Sequence, residues 1–230
     1  MERRVAIDRF YEILDDNIAR RGRHDLGSLS RSGSLYSNPE LNRPGIYFIF
    51  EPDEFREDGV TPRIVYIGIT KTERLFTRLE QHSREKDQSN LAWYVSEALC
   101  TKHGKTEFIE PLSKPWPEIP DELYREMRAF QLEGVLPRLA SMSFTGLPVS
   151  ELATRHRLER GIISLLSNLL CSDRSAAVDA ASSAWLGSQM TARTKSGVLY
   201  ANSSLWNRDH VDEEGSETSW LDEFAEIVRG

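Results

Sequence analysis

The apolar positions set out the elements of the chain before any motif does. Between residues 2 and 21, Ile7, Phe10, Leu14 and Ile18 recur at three- and four-residue spacing, the period of one helix face. The pattern breaks in "GRHDLGSLSRSGSLYSNPELNRP", whose Gly, Ser, Asn and Pro predict a loop or arm. Two runs of β-branched and aromatic residues follow, 45–50 and 63–69, and read as strands. The acidic segment between them is too long for a tight turn and predicts a protruding loop. Helical spacing returns from Thr72 to Glu85, with Thr72 as its expected cap.

Residues 86–134 read as a separate helical unit. Two helix-like stretches there, "SNLAWYVSEALCTKH" and "DELYREMRAFQLEG", flank a proline-rich crossing. The run 136–144 predicts a third strand, and "LPVSELATRHRLERGIISLLSNLL" a strong helix capped by Ser150. The Ala- and Ser-rich stretch 175–186 predicts another helix, "KSGVLYANSSLWNRDHV" a loop or short strand, and 217–229 a final amphipathic helix. The coarse order is α, β, β, α, a helical insertion, β, α and a tail. It divides into an N-terminal helix and basic arm (1–43), a core with its insertion (44–172, insertion 86–134), and a C-terminal helical extension with an acidic tail (173–230).

Composition narrows the class. With 39% apolar and 28% charged residues, the 230-residue chain suits a globular protein with a sizeable core. No apolar run reaches 18 residues and the N-terminus has no uninterrupted apolar segment, so neither a membrane span nor a secretory signal is expected. Cys100 and Cys171 are far apart and form no metal spacing; the expected location is the cytoplasm. The net charge of −7 argues against a nucleic-acid partner until its distribution is considered. Residues 205–230 alone carry −6, leaving the rest of the chain at −1. Residues 19–43 hold Arg20, Arg21, Arg23, Arg31 and Arg43 against two acids, so a polyanion can be bound locally by this arm. A solvated arm and a solvated tail fit the same distribution.

Three features carry candidate chemistry. Gly45-Ile46-Tyr47 and Tyr66-Ile67-Gly68 place a tyrosine and a glycine on each of two neighbouring strands. Arg78 and His82, four residues apart, share one helix face: Arg binds phosphate bidentately, and His moves protons near neutral pH. Glu159 falls on a stripe with Leu152, Ile163, Leu166 and Leu170, beside a second stripe of Leu158, Ile162, Leu165 and Leu169. A carboxylate in that position is costly unless it is paired or binds a metal. Each feature also has a plain structural reading. The tyrosines fit a cross-strand pair, Arg78 and His82 a solvated face beside Glu85, and Glu159 an ion pair with Arg155 or Arg160.

Taken in order, "GIYFIF", "VYIGIT", "RLFTRLEQH" and "RLERGIISLL" resemble the GIY-YIG endonuclease superfamily over about residues 44–84 and 135–172. The acidic loop and the insertion resemble its larger, restriction-type members. The resemblance implies an α+β fold, with a small central antiparallel sheet flanked by helices. It also implies a DNA endonuclease using one divalent metal, Mg²⁺ or Mn²⁺, and no organic cofactor. Tyr47, Tyr66, Arg78, His82 and Glu159 would be its catalytic residues, with Glu159 as metal ligand. Tyr47 would take a proton from the attacking water, and Arg78 would neutralise the phosphate. Where many members have a lysine just after Tyr-Ile-Gly, this chain has Ile69, which leaves Lys71, Arg74 or His82 to take that part. Asn168 stands for the family's asparagine after the glutamate helix. Arg20, Arg21, Arg23, Arg31, Lys71, Arg74 and Asn168 are the expected DNA contacts. The expected partner is double-stranded DNA, bound by a monomer or a homodimer. A restriction or anti-phage role follows from the same resemblance, with a non-cleaving binding module on the same scaffold as the alternative. The segment Trp206-Asn207-Arg208-Asp209-His210 reads as a capped turn, or as a contact to a base or the site.

Overall fold

Six consecutive apolar or aromatic positions, Gly45 to Phe50, are all buried, so the strand that carries them must be covered on both faces. The computed structural model, which describes residues 2–83, 89–114, 116–171, 177–213 and 218–230, has that arrangement. Four antiparallel strands form one sheet in the order β1 (His24–Asp25), β4 (Ser143–Pro148), β2 (Gly45–Phe55), β3 (Pro62–Ile69). Ile46, Phe48 and Phe50 face a layer made by α1 (Arg3–Arg21), α7 (Leu152–Leu166) and α8 (Trp220–Arg229). Tyr47, Ile49 and Tyr66 face the opposite layer, made by α2 (Leu75–His82), α3 (Asn90–Lys102) and α6 (Leu136–Ser141). Between α3 and α6 run the short α4 (Ile109–Leu112) and α5 (Asp121–Phe130), which enclose a small core of their own around Cys100, Phe108 and Met127. The α+β class with a small central antiparallel sheet is therefore the observed one. Among the described residues no helix is long and apolar enough to cross a membrane.

Several local expectations are corrected. The acidic segment after Phe50 is not a protruding loop. β2 continues to Phe55 with Glu51 and Glu54 buried, Glu54 bonded to Arg63 at 2.7 Å, and only residues 56–61 turn. There the Asp58 carboxylate accepts from the Val60 and Thr61 N–H groups, both at 2.8 Å. Thr72 does not cap α2, which starts three residues later. The first helical N–H groups of Leu75 and Phe76 instead donate to the carbonyls of Arg43 and Leu41, both at 2.9 Å. The residues 136–141 form α6 rather than a strand, and the strand begins at Ser143. Ser150 is not the cap of α7, whose N-cap is Glu151, and the helix ends at Leu166, so Leu170 lies beyond it and is exposed. Residues 177–185 are not helical; their groups bond outward, with Ser182 N–H and Oγ both on the Glu54 carboxylate. Residues 175 and 176, with Glu85 and the rest of 84–88, lie outside the described residues.

Candidate active site

Strand register decides where the two tyrosines point. Tyr47 pairs with Gly68 on β3 and with Gly146 on β4, and Ile49 pairs with Tyr66. Tyr47 and Tyr66 are thus diagonal neighbours on one face, ring centroids 6.3 Å apart. The glycines explain themselves here. A β-carbon on Gly68 would lie within 3.0 Å of the Tyr47 hydroxyl and ring, and one on Gly45 within 3.0 Å of the Leu147 carbonyl and a Leu75 methyl. Any larger residue at 68 would occupy the place of the tyrosine, and at 45 that of the neighbouring strand.

Helix α2 lies over this face and brings Arg78 and His82 to the tyrosines. His82 is fully buried, not part of a solvated face. Its Nε2 is 2.6 Å from the Tyr47 hydroxyl and its Nδ1 is 2.5 Å from Ser89 Oγ. Ser89 is also the N-cap of α3, accepting the Ala92 N–H at 3.1 Å. Burial, reinforced by the Arg78 charge, pushes the His82 pKa well below its usual range, so the ring is neutral at neutral pH. Burial likewise pushes Tyr47 up to about 12, against the pull of Arg78, and Tyr66 well above its usual value. Burial opposes the charge of Arg78 too, but the tyrosine hydroxyls, including a hydrogen bond with Tyr47, hold it above the usual range. The guanidinium is further fixed by Nη1 donating to Gln81 Oε1 at 2.9 Å.

Glu159 approaches from the other layer, around the end of β3. Its helix is set by Arg155, a buried side chain. Arg155 Nη1 donates to the Val149 and Ser150 carbonyls at 2.6 and 3.0 Å, and its Nη2 to Lys71 O at 2.7 Å. Arg160 pairs with Glu213 instead. Among the described residues neither arginine neutralises Glu159, and the nearest cationic side chain in the ion pairs is His156, Nδ1 to Oε2 3.9 Å. Desolvation, to which Asp209 adds, pushes the Glu159 carboxyl up to about 7, against His210, Arg78 and Lys71.

Tyr47, Tyr66, Arg78, Lys71 and Glu159 line one open cleft of about 340 Å³ at the Gly68–Ile69 end of β3, with His82 directly behind Tyr47. A cavity of about 430 Å³ beside Asn168 and Trp185 is lined by Ala, Ser and Asn and brings no charged side chain together among the described residues. The remaining predicted contacts lie outside the cleft. Asn168 is buried, accepting from Arg3 Nη2 at 3.0 Å and the Val178 N–H at 3.1 Å. Arg74 bonds Asn42 at 2.7 Å and sits over the Tyr36 ring. Arg20 and Arg21 reach the carbonyls of Arg229 and Val228, Arg31 pairs with Glu80, and Arg23 sits over the Phe50 ring.

The cleft also holds residues that sequence reasoning passed over: Asn90 and Tyr94 of α3, His156, and the run Asn207 to His210. The last had a signal, the Trp-Asn-x-x-His cluster, but was read first as a turn. It is a turn that also walls the site. Trp206 N–H donates to Val65 O at 2.7 Å, and Asn207 grips Ile67 twice, accepting its N–H at 3.0 Å and donating to its carbonyl at 2.8 Å.

Among the described residues no group of three or more His, Cys, Asp or Glu side chains is placed to hold a metal ion. A single under-neutralised carboxylate in an open cleft does fit a hard divalent cation. Such an ion keeps several waters and takes further ligands from a substrate phosphate.

The GIY-YIG domain family matches the sequence across residues 1–230. The chain belongs to the GIY-YIG family. No curated protein and no solved structure gives a significant match. Membership carries the coarse function, that of a nuclease, a hydrolase acting on DNA. In this GIY-YIG protein the signature tripeptides are the pairing positions of β2 and β3, and their glycines are what allows Tyr47 to lie between the strands' neighbours.

Proposed function

We propose that this protein is a divalent-metal-dependent endonuclease that cuts double-stranded DNA, in restriction or defence against foreign DNA. The observation that carries the reading is the hydrogen-bonded series Tyr47–His82–Ser89 ending in a cleft that also holds Arg78 and Glu159. With Nδ1–H donated to Ser89, His82 Nε2 accepts the Tyr47 hydroxyl proton. Tyr47 then takes a proton from an attacking water while passing its own to His82, which answers the high cost of a free tyrosinate in this buried place. His82 and Lys71 stand in for the lysine that Ile69 replaces; Arg74, outside the cleft, has no part in it. Arg78, permanently charged, meets the non-bridging phosphate oxygens. Glu159, assisted by Asp209, would hold Mg²⁺ or Mn²⁺, which supplies Lewis-acid stabilisation of the charge building on the phosphate. A cleft of this kind cuts one strand at a time, so a double-strand break takes two copies, and we expect a homodimer on DNA. The expected location is the cytoplasm.

Supercoiled plasmid and modified phage DNA should be nicked in Mg²⁺ or Mn²⁺ and left intact in chelator. DNA that is retarded in a gel yet uncut under every metal would replace the enzyme with a non-cleaving binding module.

A further inference from the structure

His210 is one of only three non-glycine residues with positive φ among the described residues, at 63°. Backbone in this region costs energy for a histidine and persists where the surroundings impose it, a feature that gathers at functional sites. The surroundings are plain. Asn207 and Trp206 lock the segment onto the free edge of β3. Arg208 is held by the buried Glu97 and lies over the rings of Trp93 and Tyr94, 4.5 and 4.3 Å from their centroids. Both anchors fix His210 in the wall of the cleft. Its Nδ1 is 2.8 Å from Glu213 Oε1. Although partial burial works against it, hydrogen bonds from His210 and Arg160 hold the Glu213 carboxyl below its usual range, so Glu213 accepts and Nδ1 is the donor. Nε2 is the nitrogen left for a ligand in the cleft.

Resting on the nuclease reading above, we infer that His210 is a second catalytic histidine, the general acid that protonates the leaving oxygen of the cut strand, with Glu213 as its positioning residue. The two histidines serve different walls. His82 stands behind Tyr47 under α2, whereas His210 is tied through Glu213 to Arg160 on α7. An in-line displacement needs a proton acceptor at one end and a proton donor at the other. The water oxygen bonds to phosphorus as the phosphorus–oxygen bond to the leaving group breaks, and its electron pair stays on that oxygen. The leaving oxygen takes the Nε2 proton of His210. The water proton goes to Tyr47, whose own proton goes to His82. Exchange with solvent then restores both rings.

A bridging phosphorothiolate tests this, because a departing thiolate needs no proton. The cut bond is first mapped with wild type, and an oligonucleotide carrying sulfur at that bridging position is made. His210→Asn is the variant, since asparagine tolerates positive φ. On all-oxygen DNA its single-turnover rate should fall about 10²-fold or more, and Glu213→Gln should fall in the same direction by less. On the sulfur-bridged strand His210→Asn should cut within a few-fold of wild type. Equal losses on both strands overturn the proposal while leaving the nuclease reading intact. A wild type that cuts neither strand overturns both.

Discussion

Replacing Glu159 with glutamine should abolish cutting and, in the same protein, raise the melting temperature of the metal-free form at pH 8. The cutting loss should reach about 10³-fold or more, since a metal ligand is worth several kcal/mol in the transition state. The gain in stability comes from the carboxyl that burial has lifted from 4.5 to about 7. Its side chain is 18% exposed, so most of that penalty is felt in the fold. A raised carboxyl keeps its proton in the folded chain over a pH range where the unfolded chain has lost it. Stability therefore falls as pH rises from about 4.5 to about 7 and stays reduced above that. Glutamine has the same shape and no charge. It should recover about 1 to 3 kcal/mol at pH 8, several degrees in melting temperature, and nothing at pH 4. The same proton competes with a cation, so in wild type the apparent Mg²⁺ affinity should weaken as pH drops below about 7. Melting curves of the two proteins that run parallel from pH 4 to pH 8 would show that Glu159 is not desolvated. Surviving nicking would remove it as the ligand.

Gly68→Ala should destabilise the protein by about 2 to 3 kcal/mol and silence it, although only one methyl is added. The new β-carbon lies within 3.0 Å of the Tyr47 hydroxyl and ring. Neither side has room to yield. Tyr47 is fully buried, pinned to His82 at 2.6 Å, and its backbone is paired with strands on both sides. Relief must come by swinging the tyrosine away from His82 or by parting β2 from β3. Urea unfolding of Gly68→Ala, Tyr47→Phe and the double variant measures the conflict directly. A coupling beyond about 0.5 kcal/mol locates the clash at the Tyr47 ring, and strict additivity would place it elsewhere.

Much of the frame is readable from local pattern. The N-terminal helix, the paired strands, the Arg78–His82 face and the helix of Glu159 all follow from spacing, because each buries its own apolar stripe. What escapes is decided at a distance. β2 runs on through Glu51 and Glu54, which look like loop residues until Arg138 and Arg63 arrive from far along the chain to pair with them. The stretch 177–185 has helix composition, but its serine bonds go to Glu54 rather than along a helix. α6 resembles a strand through Leu136 and Leu139, and proline at its start sets the helix instead. The site divides the same way. Tyr47, Tyr66, Arg78 and Glu159 belong to elements with strong patterns. The wall from Asn207 to His210 is held by single side chains on a strand edge more than a hundred residues away, which no spacing rule reports.

Ser89 has one further consequence. Its hydroxyl serves two structures at once, closing the first turn of α3 and anchoring the ring of His82. The insertion's folding and the proton affinity of Tyr47 therefore share one atom. A chain in which α3 has not yet formed cannot hold His82 in register with Tyr47. The hydroxyl then acts as a maturation checkpoint, keeping a newly made nuclease inert towards its host's own DNA until its insertion has folded.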